Sequence, residues 1–123
     1  MRKLVLMTGC LFLSCFGFCL GQNTARYDEP EQGFYDAVRL YQNAKYGAAK
    51  RAFGVVRRKV DPACDVYFAS EIMYYRAMCD VLLFHKNGAM ALRDFVETYP
   101  NSNRVNTAYL QLANFEYDYK RYQ

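Results

Sequence analysis

The chain has 123 residues, enough for one domain at most. Its formal net charge is +4, but two of its 16 basic residues, Arg2 and Lys3, precede an apolar run at the start; without them the balance is +2, too mild to imply a nucleic-acid partner. Five cysteines suggest a disulfide framework, yet Cys10, Cys15 and Cys19 all lie in that apolar run.

Met1-Arg2-Lys3 gives a positive start, and Leu4 to Leu20 is uncharged and apolar. Cys19-Leu20-Gly21 places small residues at the two positions a signal peptidase reads. A secretory signal peptide over residues 1–21 is therefore expected, with Gln22 as the new N-terminus. Two alternatives stay open. A membrane anchor would have to span with a run of 17 residues, against the roughly 20 a bilayer needs. A lipid-attachment site would use Gly9-Cys10 or Ser14-Cys15, each with a poor apolar approach. No other segment is apolar enough to cross a membrane.

Residues 22–32 read as a disordered lead-in, broken by Pro30. From Glu31 the apolar residues take a helical period. Phe34, Ala37, Val38, Tyr41 and Ala44 share one face of a first helix, which a turn at Asn43 to Gly47 ends. A second helix opens at Ala48 or Ala49 with Ala49, Ala52, Phe53, Val56 and Val60 on its stripe, and Asp61-Pro62 stops it. Asp65 can cap a third helix reaching to Phe84. That helix is apolar on nearly all sides, as a helix between two neighbours must be.

His85-Lys86-Asn87-Gly88 is a turn, and Ala89 to Tyr99 a fourth helix stopped by Pro100. Ser102 or Asn103 caps a fifth, carrying Val105, Ala108, Tyr109, Leu112 and Ala113 toward a further turn at Tyr122. With Cys64 and Cys79 at opposite ends of most of the third helix, roughly 20 Å apart, no bridge is expected between them; two buried or half-buried free thiols are.

The pattern returns along the chain. Ala49-x-x-x-Phe53 is matched by Ala91-x-x-x-Phe95 after 42 residues, Tyr41-x-x-x-x-Tyr46 by Tyr117-x-x-x-x-Tyr122, and small Cys79 by small Ala113 after 34. Fixed-period similarity of this size signals a helical repeat array. The first two units are helix pairs, whereas the third has one helix and no partner. Because a repeat cannot bury its apolar face alone, the chain reads as the N-terminal part of a longer protein or a truncated product.

These residues resemble the tetratricopeptide repeat family over Phe34 to Gln123. The small residues where paired helices cross are Ala37, Cys79 and Ala113, and the turn aromatics are Tyr46 and Tyr122, with Gly88 departing from the pattern in the middle unit. The second-helix pairs are Ala49 with Phe53 and Ala91 with Phe95. The 42-residue spacing also departs from the family's 34, an excess centred on Val60 to Asp65.

A narrower likeness lies in Phe95-x-x-x-Tyr99-Pro100-Asn101-Ser102 followed by Ala108-Tyr109-x-x-Leu112-Ala113. It is similar to the exported repeats of outer-membrane assembly lipoproteins and Tol–Pal accessory proteins. Glutamine directly after the cleavage site is similar to exported proteins of the Bacteroidota. The resemblance implies an all-α, right-handed solenoid of antiparallel helix pairs, about two and a half units long. It implies a periplasmic location or the periplasmic face of the outer membrane, and a groove lined by first helices: Val38 and Tyr41, then Arg76, Asp80 and Leu83, then Asn114 and Tyr117.

Chemistry finds little support. His85 is the sole histidine and sits in a turn, so no His-based metal cluster or Ser-His-Asp arrangement is expected. Cys64 and Cys79 have no histidine partner, the glycines are isolated, and Arg76 with Asp80 reads as a helix-surface pair at i, i+4. The basic set Lys50, Arg51, Arg57, Arg58 and Lys59 lies on the second helix opposite its apolar stripe. It is either a solvated outer face or a contact for acidic lipid headgroups or an acidic protein patch.

The expectation is a non-catalytic exported scaffold for a protein or peptide partner in the cell envelope, without cofactor, metal or nucleic acid. The alternatives are a membrane-anchored or lipidated component of an outer-membrane assembly machine, and the non-catalytic N-terminal portion of an enzyme.

Overall fold

The computed structural model describes residues 29–121. The expected signal peptide, residues 22–28 of the expected lead-in, and Tyr122 lie outside them. The described residues form five α-helices and no strand: α1 (Pro30–Gln42), α2 (Tyr46–Arg57), α3 (Val66–Leu82), α4 (Gly88–Thr98) and α5 (Val105–Arg121). None of these helices is long and apolar enough to cross a membrane.

Pro30 begins α1 rather than preceding it, so residues 30–32 of the expected lead-in are helical. Proline suits this first position because its missing N–H would have no helical acceptor there, and Glu31 in the first turn complements the helix dipole. α3 starts as expected: the Asp65 carboxylate accepts the Phe68 N–H at 2.9 Å. α2 ends at Arg57, three residues short of the expected Val60. The reason is the Asp61 turn, where Oδ1 accepts the Ala63 N–H at 2.9 Å and the backbone carbonyl accepts from Cys64 and Asp65.

The α1–α2 and α3–α4 turns share one design. Ala44 and Phe84 both stand in the left-handed region, at φ 56° and 53°. After α1, the Lys45 N–H bonds the Leu40 carbonyl and the Ala44 N–H that of Tyr41; after α3, His85 bonds Asp80 and Phe84 bonds Val81 in the same way. These paired reverse bonds satisfy carbonyls that the helix ends would otherwise leave open. Such a cap usually takes glycine, and neither turn has one there. The glycine beyond the second turn serves another end: a Cβ on Gly88 would lie 3.1 Å from the Val81 backbone, so the start of α4 sits directly against α3.

Each helix packs on the next along the chain, and α1 also touches α3. α3 is the central element and feeds two hydrophobic clusters. Ile72 and Cys79 join Ala37, Ala49, Phe53 and Val56 in the first. Tyr74, Ala77, Met78 and Val81 join Leu92, Phe95, Val96, Ala108 and Phe115 in the second. Ala37 and Cys79, the expected crossing residues, are fully buried, and so are Phe53 and Phe95. Ala113 differs: it is exposed on α5, which packs on α4 with one face and leaves Tyr109, Leu110 and Tyr117 outward.

Polar links toward α5 add to this packing. Arg104, just ahead of α5, grips Glu71 of α3 through Nε–Oε1 and Nη2–Oε2, each 2.9 Å. Its guanidinium lies 5.2 Å from the Tyr74 ring centroid and 5.6 Å from that of Tyr75. The carboxylate pushes the Arg104 pKa still further above its ordinary value. Arg93 of α4 pairs with Glu116 of α5.

Candidate functional site

The longest run of one charge sign lies on α2 and the turn after it. From Lys45 to Val60 the chain has six cations and no acid, so the remainder is net negative within a total of +4. Helical spacing sends these cations to different places. Lys50, Arg51 and Arg58 line one open cleft of about 650 Å³ between α2 and the second half of α3, together with Arg76, Leu83 and His85; Gly47, Gly54 and Val55 complete its wall. Arg57 is exposed outside this cleft, and Lys59 lines another, beside Glu29, Glu31, Asp61 and Asp65.

The expected groove and the expected basic patch therefore meet in one place, but only in part. Arg76 and Leu83 from the first set stand with Lys50, Arg51 and Arg58 from the second. Val38 and Tyr41 are half-buried against the first cluster. Tyr41 packs edge-on to Tyr46 at 5.5 Å and Tyr75 at 5.2 Å, and burial, with Tyr74 beside it, pushes its hydroxyl up to about 12. Asn114 and Tyr117 are exposed on α5, away from this cleft.

Asp80 does not pair with Arg76, contrary to the i, i+4 expectation. Its Oδ1 takes Lys50 Nζ from α2 at 2.5 Å and meets His85 Nδ1 at 2.7 Å. The left-handed turn at Phe84 brings His85 back over the end of α3, and Lys50 reaches across from the neighbouring helix; between them they occupy the carboxylate. Arg76 is left with a buried Nε that has no hydrogen-bond partner. Arg51 and Arg58 likewise make no ion pair with the described residues. The cleft thus holds three uncompensated guanidinium groups and one neutralised lysine. A buried donor without an acceptor costs about 1–3 kcal/mol, a cost that falls on Arg76 Nε.

Gly54 has no structural reason to be glycine. Its φ is not positive, and a Cβ built there would meet nothing within 4 Å. Glycine inside a helix is destabilising by about 0.5–1 kcal/mol relative to alanine. Gly33 differs, because its Cβ would lie 3.0 Å from Val56 Cγ2.

Other features offer less. A cleft of about 490 Å³ between the start of α3 and the α4–α5 link is lined by Tyr67, Tyr99, Asn101 and Asn103 among others, with no charged side chain. Both described cysteines are free thiols. Cys79 is buried, and that burial pushes its thiol up to about 11, so it stays protonated. Cys64 is exposed rather than half-buried, and its S–H points at Asp61. Hydrogen bonds from the Ala63 N–H and from Cys64 hold the Asp61 carboxyl below its ordinary value. Among the described residues no group of three His, Cys, Asp or Glu could hold a metal ion.

No protein-family model, curated protein or solved structure matches this chain.

Proposed function

We propose that this chain is a non-catalytic, exported binding module: a right-handed stack of tetratricopeptide-like helix pairs that holds an acidic segment of a partner protein in the α2–α3 cleft. The stack reading draws support from the two matching left-handed turns, at Ala44 and Phe84, and from the equivalent buried residues Ala37 and Cys79. Export draws support from the signal-like start at Met1-Arg2-Lys3 with its apolar run, and the periplasm or the periplasmic face of the outer membrane is what the resemblance to exported envelope repeats implies.

One observation carries the binding reading. Arg51, Arg58 and Arg76 line a concave surface with no acid among its lining residues, and the nearby Asp80 is already engaged by Lys50 and His85. Excess positive charge in a cleft concentrates anionic partners, and arginine is favoured where interfaces are strongest.

The test places a photo-crosslinking residue at Val55, which is 46% exposed on the cleft wall. Envelope extract is offered to that protein and to the same protein carrying Arg51→Glu and Arg58→Glu. Crosslinks to acidic segments of a partner, lost on charge reversal, are the expected result. Crosslinks unchanged by charge reversal would move the interface elsewhere and overturn the assignment.

A further inference from the structure

Resting on the cleft reading above, we infer that the occupant is an extended stretch of acidic polypeptide, laid along α2 with its main chain against Gly54. Gly47, Lys50, Arg51, Gly54 and Arg58 form one helical stripe, and all five line the cleft. Gly54 divides the cations, with Arg51 on one side and Arg58 on the other. Neither backbone conformation nor any neighbouring atom requires a glycine there. An absent side chain between two guanidinium groups is what lets a second backbone come close.

The dimensions suit a strand-like peptide. Arg58, the cap of α2, stands seven positions after Arg51, about 10 Å along the axis. An extended chain rises about 3.3 Å per residue, so acids three residues apart reach both arginines at once. An isolated phosphate would engage one end only. On the opposite wall stands Arg76, which also makes no ion pair with the described residues, so its charge adds to the pull on a carboxylate. Val55 and Leu83, 46% and 37% exposed, supply apolar contacts between the charges.

Gly54 thereby sets specificity by its lack of a side chain, and substitution there separates binding from folding. Fluorescein-labelled ten-residue peptides with glutamates three apart, or with the same glutamates adjacent, are titrated by anisotropy against the purified chain, Gly54→Ala, Gly54→Val and Arg51→Glu/Arg58→Glu. Inorganic phosphate and vesicles containing anionic lipid serve as the other probes. Gly54→Ala is expected to raise Tm by a few degrees, because it removes a helix-interior glycine into open space, while weakening the three-apart peptide at least five-fold. Gly54→Val should weaken it further, and the adjacent-glutamate peptide should bind several-fold less tightly to the unaltered chain.

Undiminished peptide binding by Gly54→Ala, with binding lost on charge reversal, would overturn main-chain docking and leave the basic cleft standing. Failure of the unaltered chain to bind either peptide would overturn the cleft reading as well. Vesicle binding that disappears on charge reversal, without peptide binding, would assign the cleft to a membrane surface instead.

Discussion

Arg104→Met tests how the last helix is held. The side chain of Glu71 is 7% exposed and that of Arg104 35% exposed, so the substitution leaves a carboxylate buried on α3 without its cation. Removing one partner of a buried pair costs about 3–5 kcal/mol. The partial exposure of Arg104 admits water to one end of the pair, which places the loss near the bottom of that range, about 3 kcal/mol. Against a total stability of about 5–15 kcal/mol for a domain, that is a large fraction. Urea unfolding followed by far-ultraviolet circular dichroism reads it as a lower midpoint at unchanged slope.

Two controls separate the buried charge from lost contact area. Glu71→Leu/Arg104→Met removes both charges and should return to within about 1 kcal/mol of the parent. Glu71→Gln/Arg104→Met keeps the shape of the acid but not its charge, and should likewise recover most of the loss. A loss below about 1 kcal/mol in Arg104→Met would refute the reasoning: the pair would then act as a solvated surface pair.

Ala44→Gly should stabilise the chain by about 1 kcal/mol in the same unfolding assay, since Ala44 holds a left-handed φ that glycine adopts freely; a loss of stability would show that the turn is not closed as described. Alkylation mapped by mass spectrometry should modify exposed Cys64 at once and buried Cys79 only on unfolding. The raised Cys79 thiol, ordinarily near 9 and here about 11, contributes stability fully present below pH 9 and lost as pH climbs toward 11. Cys79→Ala should flatten that decline, and an unchanged decline would assign it to other groups, Tyr41 first among them.

The all-α architecture was legible because periodic apolar residues and stop signals agree at most helix ends. Ala37, Phe53, Cys79 and Phe95 all read as inward-facing and all are fully buried. Asp65 read as a cap and acts as one. The failures share a cause: each depends on atoms from another element or on a competing local bond. Arg76 and Asp80 have good i, i+4 spacing, but Lys50 from the next helix and His85 from the turn take the carboxylate. α2 stops at Arg57 because the Asp61 side chain offers the backbone a turn. Ala44 and Phe84 gave no glycine signal for their left-handed caps.

The cleft itself was half legible. Its residues were divided between a groove on first helices and an outward basic face on α2, and α2 lying beside α3 brings Lys50, Arg51 and Arg58 to Arg76 and Leu83. Gly54 carried a usable signal in hindsight: a glycine at the centre of a cationic helical stripe, with no turn to explain it.

The most direct measurement of the central claim is a two-dimensional 15N–1H spectrum of the chain, titrated with the peptide whose glutamates stand three apart. The expected result is shifts confined to the amides of α2 and of the stretch from Arg76 to His85, which covers the end of α3 and the turn after it. Shifts centred on the α4–α5 link or on the outward face of α5, with α2 unmoved, would contradict it.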